Sequence, residues 1–213
     1  MERIICLVIG YICGLFQTGY LIGKLHKTDI RQHGSGNVGT TNAFRTFGKK
    51  AGALTLLGDC LKCVVAVVIV RLIYQGSEGN LLPLLTLYAA LGCILGHNFP
   101  VMMDFRGGKG IAASVGMIIA FDWRIFLVCA VVFFALFFTT HYVSLCSLSA
   151  YATAFILVLV LGSRGAYGMD QGHTIELYVV MGILTVMAFY RHRANINRLL
   201  HGTESKVFLK KKE

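Results

Sequence analysis

Apolar residues in this chain come in long unbroken runs, not in the alternation of a half-buried strand or the narrow stripe of a surface helix. Ile4 to Phe16, Cys63 to Tyr74, Leu81 to Gly96, Ile125 to Thr140, Leu148 to Gly162 and Leu177 to Tyr190 carry few or no charges. With their flanks, several of these runs reach the roughly 20 residues a spanning helix needs. The pattern predicts an all-α polytopic membrane protein with about seven transmembrane helices. They fall near 3–23, 52–74, 81–97, 110–121, 124–141, 144–162 and 174–190. The fourth is short: Ile111 to Phe121 falls below roughly 17 residues and spans only with help from the Gly107 to Gly110 turn or a thinned bilayer. Six spans plus a re-entrant segment is the alternative. The first run follows Glu2-Arg3 but meets no small-residue cleavage site before Lys24, so a retained span is expected rather than a signal peptide.

No linker, low-complexity tract or internal repeat divides the chain, so residues 1–213 are expected to form a single membrane domain. Polar residues gather at 24–51, 97–110, 141–147 and from 191 onward, while the connections at 75–80, 122–124 and 163–173 are short or nondescript.

Composition agrees with this reading. Apolar residues make up 56%, charged residues 14%, and mean hydropathy is +0.69, values that exclude an ordinary soluble domain. The net charge of +10 matters through its placement. With seven spans, Lys24, Lys27, Arg31, Arg45, Lys49, Lys50, Arg106, Lys109, Arg191, Arg193, Arg198, Lys206 and Lys210 to Lys212 share one side. Arg3, Arg71, Arg124 and Arg164 fall on the other. That asymmetry predicts an outside N-terminus and a cytoplasmic C-terminus, with a basic tail suited to anionic lipid. The seven cysteines sit mostly in apolar runs as small hydrophobes. Cys60-x-x-Cys63 has no second pair to complete a zinc site, so no metal and no disulfide framework is expected.

The polar segments carry the candidate chemistry. GSGNVGTTNAFRTFGKK, residues 34–50, contains the Gly34-x-Gly36-x-x-Gly39 spacing of a dinucleotide fingerprint, and Gly34 to Thr41 imitates a phosphate loop with Thr40 in place of lysine. Both readings need a buried strand beforehand, and here a membrane span and Thr28 to His33 precede the glycines. What survives is local physics: glycines let successive N–H groups curl around an anion, Thr40, Thr41 and Asn42 add donors, and Arg45 is near. The second segment runs Gly96-His97-Asn98-Phe99-Pro100 to Arg106-Gly107-Gly108-Lys109-Gly110. Its glycines fit an anion site or a tight turn equally, and Lys109 between them favours the anion. In the tail, His192, Asn195 and Leu199 share a helix face, as do Arg191, Asn195 and Arg198; a positive-inside stop signal explains the arginines but not His192 or Asn195. Ser144 and Ser147 begin an apolar helix, where hydroxyls commonly serve as caps.

GSGNVGTTNAFRTFGKKAG, GHNFPVMMDFRGGKGIAAS and HRANINRLLHGTESK resemble the three cytoplasmic motifs of the bacterial acyl-phosphate:glycerol-3-phosphate acyltransferases, the PlsY-type membrane enzymes. The resemblance covers essentially the whole chain, with motif segments at 33–51, 96–114 and 191–206. It implies transfer of a fatty acyl group from acyl phosphate to the 1-hydroxyl of glycerol 3-phosphate, giving 1-acylglycerol 3-phosphate (lysophosphatidic acid) and phosphate, the first acylation of phospholipid synthesis. It implies no metal and no organic cofactor, a bacterial inner-membrane location, and an active site at the cytoplasmic face. By the same resemblance Gly34, Ser35, Gly36, Asn37, Gly39, Thr40, Thr41 and Asn42 hold the acyl-phosphate head, with Ser144 or Ser147. Arg45, Gly107, Gly108, Lys109, His192 and Asn195 hold glycerol 3-phosphate, and Ser35, Arg45, Lys109, His192 and Asn195 are the expected catalytic set.

His97 and His192 are candidate bases by type, and Ser35 is a candidate nucleophile. Acyl phosphate is already activated, however, and the family is thought to let the leaving phosphate take the proton, which assigns Ser35 to binding and His192 to positioning. His97 is otherwise expected to bond helix ends, Glu204 to brace an arginine or sit at the surface, and Asp59 and Lys62 to form a buried pair. His141 departs from the basic residue expected before Tyr142-Val143-Ser144, which puts that loop's charge in doubt. The competing reading is a membrane transporter of phosphate or an organophosphate, which would place its binding groups nearer the bilayer midplane. None of the histidines has Asp five positions on, so the His-Asp dyad of other glycerolipid acyltransferases is excluded.

Overall fold

The computed structural model describes residues 1–76 and 80–208. The cluster Lys210 to Lys212 lies outside the described residues. Among those described there is no strand. Helices α1 (Glu2–Gly14) and α2 (Thr18–Leu25) make the first apolar stretch, and α3 (Thr40–Phe47) lies in the first polar segment. Then come α4 (Lys49–Tyr74), α5 (Leu82–Asn98), α6 (Ile111–Phe121), α7 (Trp123–Thr140), α8 (Val143–Ser163), α9 (Gln171–Arg191) and the tail helix α10 (Arg193–Leu200).

Among the described residues six stretches are long and apolar enough to cross a membrane: Glu2–Leu25, Lys49–Tyr74, Leu82–Met103, Trp123–Thr140, Val143–Ser163 and Gln171–Arg191. The 11 residues of α6 extend only about 16 Å.

The first stretch is broken where the periodicity predicted one continuous helix. Buried Gln17 stands between α1 and α2, and its Nε2 donates to Gly14 O (3.1 Å), Gly96 O (3.3 Å) and His97 O (3.1 Å). Lys62 Nζ donates to Phe16 O at 2.6 Å and Gly14 O at 3.3 Å. Carbonyls freed by the break thus find partners inside the bundle, without which apolar surroundings would not tolerate it.

At the centre is α5, apolar on all sides and buried on most of them, as a helix without an exposed face must be. It crosses α1 at backbone contact. A Cβ on Gly10 would lie 1.9 Å from Ala89 O, and one on Gly92 would lie 2.1 Å from Leu7 O. Gly14 and Gly96 repeat the pattern against Cys93 O and Tyr11 O. Each helix therefore presents glycines four apart, the spacing that lets helices approach closely in lipid. Around this pair lie α4 and α9, with α6 on α4 and α7 and α8 paired outside.

Contacts between the polar segments gather them at one end of the bundle. Arg45 Nη2 donates to Ser205 O (3.5 Å), Arg191 Nη2 to Gly107 O (2.9 Å), and Val207 N to His141 O (2.9 Å). At the other end Arg3 holds Glu176 at 2.5 and 2.6 Å, and Tyr88 donates to the same carboxylate at 2.8 Å.

Candidate active site

The first motif is built around Asn42, which is 1% exposed. Its Oδ1 accepts from Ser35 N (2.9 Å), and its Nδ2 donates to Ile30 O (3.2 Å) and His33 O (2.9 Å). The side chain expected to bind phosphate is therefore occupied in folding the loop over α3. Gly34 and Gly36 have φ of +58° and +69°, and a Cβ on Gly34 would meet Asn42 Oδ1 at 2.2 Å. Asn37 Oδ1 accepts from Gly39 N at 2.9 Å, turning the chain into α3. Within this polar segment the chain is helical from Thr40, because Ala43, Val38, Ile30 and Met103 close a small core beneath it. Ser35 and Gly36 stay exposed, Thr41 is half-buried, and Thr40 Oγ1 is buried with no partner. The N–H groups of Thr40 and Thr41 open the helix ahead of any intrahelical acceptor, so the turn offers donors to an anion.

In the second motif the chain doubles back over the end of α5. Gly107 N donates to Asn98 O (3.2 Å) and Gly108 N to His97 O (3.1 Å). From α9, Arg191 Nη2 donates to Gly107 O (2.9 Å) and Gly108 O (2.5 Å), and the guanidinium sits 5.1 Å over the Phe99 ring. This arginine, read from sequence as a stop signal, clamps the turn. A Cβ on Gly107 would lie 2.0 Å from His97 O, and one on Gly108 would lie 2.1 Å from His97 Nε2, so tight packing demands both glycines.

The turn delivers Lys109 to the third motif, where its Nζ donates to Asn195 Oδ1. Asn195 Nδ2 in turn donates to Glu204 Oε1 (2.7 Å), and Ser144 Oγ donates to the same oxygen (3.0 Å). Arg198 Nε pairs with Glu204 Oε2 at 2.7 Å. Of the two alternatives the sequence leaves open for Glu204, an arginine pair or a lone surface charge, the structure has the pair, with Arg198. Sequence reasoning placed Arg198 on the Asn195 face without giving it a role; the signal was its six-residue spacing from Glu204. Ser147 is buried beside this network, but its hydroxyl donates back to Val143 O (2.8 Å) and is spent within α8.

The electrostatics are those of a cationic cluster. Burial pushes Lys109 down to about 8; Glu204 pulls it back up, and Arg198, Arg191 and Arg45 lower it further. A lone carboxylate therefore faces four cations. Burial works to raise Glu204, yet hydrogen bonds from Asn195, Arg198 and Ser144 prevail and its pKa is lowered. His192 is pushed down to about 4 by burial first and Lys109 second, so its ring is neutral near pH 7. Its Nδ1 donates to Ala188 O (2.8 Å), leaving Nε2 with a lone pair.

Candidate residues from the three motifs, with Ser144 from α8, therefore meet at one end of the bundle: Arg45 from α3, Lys109 before α6, and His192, Asn195 and Glu204 from the tail. His97 lies below, buried at the end of α5. His141 takes a left-handed conformation (φ 61°) after α7, its ring against Phe208. A cation near that loop is Lys206, 5.3 Å over the Tyr142 ring.

Fold and charge placement together define a helical integral-membrane protein with cationic side chains from separate polar segments gathered at one end of its bundle. The chain belongs to the glycerol-3-phosphate acyltransferase family, whose model matches residues 4–202. It is 38% identical to a glycerol-3-phosphate acyltransferase of Lactiplantibacillus plantarum over 97% of this chain and 93% of that one. It is 40% identical to one of Clostridioides difficile over 98% and 97%. Among solved structures it is similar to PlsY (YgiH), an integral membrane glycerol 3-phosphate acyltransferase, in its glycerol 3-phosphate form. That match has a TM-score of 0.83 at 31% identity, covering 98% of this chain and 96% of that one.

Proposed function

We propose that this protein transfers a fatty acyl group from acyl phosphate to the 1-hydroxyl of sn-glycerol 3-phosphate, releasing 1-acylglycerol 3-phosphate and inorganic phosphate. The observation that carries the reading is the Lys109–Asn195–Glu204 chain, set among Arg45, Arg191 and Arg198, which draws on all three motifs. Support comes also from relatives whose names state glycerol-3-phosphate acyltransferase activity, and from a related structure that exists in glycerol 3-phosphate and lysophosphatidic acid forms.

In this reading Arg45, Lys109 and Asn195 hold the phosphate of glycerol 3-phosphate, with His192 directing the hydroxyl and Gly107 and Gly108 setting the turn. The Gly34 to Thr41 segment receives the acyl-phosphate head through backbone N–H groups, Ser35 and the threonine hydroxyls, beside Ser144. The hydroxyl oxygen attacks the acyl carbonyl, the bond from that carbon to the phosphate oxygen breaks, and the departing phosphate carries the proton away. A neutral His192 with a pKa near 4 is a weak base and a good hydrogen-bond partner, which favours positioning over proton abstraction.

The finer topology follows from the same reading: seven spans with α6 as a short fourth, the N-terminus outside, and the basic site end in the cytoplasm of a bacterial cell, by the positive-inside rule. The whole chain then acts as a single membrane domain, with acyl chains entering from the lipid.

The test is phosphate release from palmitoyl phosphate by the purified protein in lipid, with and without glycerol 3-phosphate, following the lipid product by mass. Phosphate and lysophosphatidic acid appearing together, only with the acceptor, is the expected result. Equal release without acceptor indicates a phosphatase, and no turnover with glycerol 3-phosphate uptake into vesicles indicates a transporter.

A further inference from the structure

Below the site, three ionisable side chains that the proposed chemistry leaves unused meet where α4, α5 and the α1–α2 break touch. Asp59 (1% exposed) and Lys62 (7%) lie one turn apart on α4, and His97 (2%) lies at the end of α5. Such a cluster among apolar helices is costly unless each charge is matched, and it commonly marks function.

The matching here is specific. Lys62 Nζ stands 3.0 Å from Asp59 Oδ1, 2.7 Å from His97 Nδ1 and 2.6 Å from Phe16 O. An ammonium has only protons to offer, and its hydrogen bonds go to Phe16 O, Gly14 O and His97 Nδ1, with the Asp59 carboxylate alongside as the matching charge. His97 Nδ1 therefore accepts, which makes the ring neutral with its proton on Nε2. Asp59 Oδ1, 3.8 Å from Nδ1, is too distant to compete.

The Nε2 edge of the fixed ring faces the Gly108 backbone, where an added Cβ would lie 2.1 Å away. The main chain of α5 holds the same turn from below through His97 O and Asn98 O. Arg191 holds it from α9 through the Gly107 and Gly108 carbonyls. Lys109 is the next residue.

We propose that His97 is a positioning residue. Locked in one tautomer by the Asp59–Lys62 pair, its ring is the floor on which the Gly107-Gly108 turn rests, and so sets the reach of Lys109 toward Asn195 and the substrate phosphate. The proposal rests on Lys109 being a ligand for glycerol 3-phosphate, and the two ideas separate by experiment.

His97→Asn keeps an oxygen in place of Nδ1 for Lys62 but no longer reaches Gly108. It is expected to raise KM for glycerol 3-phosphate about tenfold, with kcat and KM for acyl phosphate within about twofold of the parent. Gly108→Ala, whose methyl collides with Nε2 in the parent, is expected to cost less in the His97→Asn background, because the ring edge is gone. Equal rises in KM for both substrates, a fall in kcat alone, or strict additivity with Gly108→Ala would overturn positioning. Lys109→Met is the control for the underlying reading: an unchanged KM for glycerol 3-phosphate sinks that reading, whereas a raised KM there with none in His97→Asn sinks only the role of His97. If the variants do not fold, nitrogen NMR of the histidine-labelled parent decides. A bare Nδ1 and protonated Nε2 near neutral pH are expected, and the opposite tautomer or a doubly protonated ring overturns the proposal.

Discussion

Lys109 Nζ donates to Asn195 Oδ1 across 86 residues of sequence. The bond has a direction because Asn195 Nδ2 is committed to Glu204 Oε1 at 2.7 Å, which turns the amide oxygen toward the lysine. A carboxylate in that position would keep an acceptor for Lys109 but lose the donor to Glu204 and place a second negative charge in an anion site. Asn195→Asp is therefore expected to impair glycerol 3-phosphate use more than Asn195→Ala. KM should rise tenfold or more, equivalent to at least about 1.4 kcal/mol. Steady-state kinetics on both variants checks the order, and Ala worse than Asp would contradict it.

Activity against pH should be bounded on the alkaline side by Lys109. Burial, together with Arg198, Arg191 and Arg45, lowers it to about 8 despite Glu204, so the unliganded site loses this charge as pH rises through that value. Phosphomonoesters shed their second proton near about pH 6. The ratio kcat/KM for glycerol 3-phosphate is thus expected to rise through about 6 and fall above about 8, since it reports free enzyme and free substrate. Lys109→Arg should shift the alkaline limb upward whatever it does to the maximum. An unmoved limb would assign it to another group.

Much of the architecture was legible because lipid demands it: uninterrupted apolar runs predicted the helices, and basic residues in alternate connections predicted that the motifs share an end. Gln17 and Lys62 were less legible. Each reads locally as a polar intrusion in a span, and only the packed bundle reveals that they cap the carbonyls of a broken first helix. Arg191 was similarly ambiguous, since a stop signal and a clamp on the Gly107-Gly108 turn demand the same residue type. Asn42 lies in a motif rich in anion donors, and pattern alone does not tell a donor aimed at ligand from one aimed at Ile30 O and His33 O. The glycines four apart in α1 and α5 were visible as spacing, but spacing does not say which helix meets which.

Removing Glu204 should damage the site without removing any group proposed to touch substrate. Its carboxylate gathers Asn195, Ser144 and Arg198 from the tail and α8. Glu204→Ala leaves those donors unpaired and is expected to lower kcat/KM on the order of 10–100-fold, while Glu204→Gln loses less. The lowered pKa of Glu204 adds a stability signature. Its contribution is complete above the unfolded value of 4.5 and is lost as pH falls through the lower folded value. Proteolysis of the tail on acidification should reveal that release in the parent, with no such step in Glu204→Ala.

The α1–α5 crossing supports the site from a distance, because it fixes Gly96 and His97 beneath the Gly107-Gly108 turn. A Cβ at Gly92 would stand 2.1 Å from Leu7 O, which is backbone and has no rotamer to escape into. Gly92→Leu must therefore push the helices apart, at an expected cost of about 3 kcal/mol or more, or a fall of about 6–12 °C in thermal midpoint in mild detergent. Gly182 is a fair comparison, since its nearest neighbours are Phe155 ring carbons at 3.8 Å. Gly182→Ala should leave the midpoint within a degree or two of the parent. The same separation of α1 from α5 would strip Gln17 from Gly96 O and His97 O, so Gly92→Leu protein that survives purification should also show a raised KM for glycerol 3-phosphate. A destabilised enzyme with unaltered KM would mean that the crossing and the phosphate turn are mechanically independent.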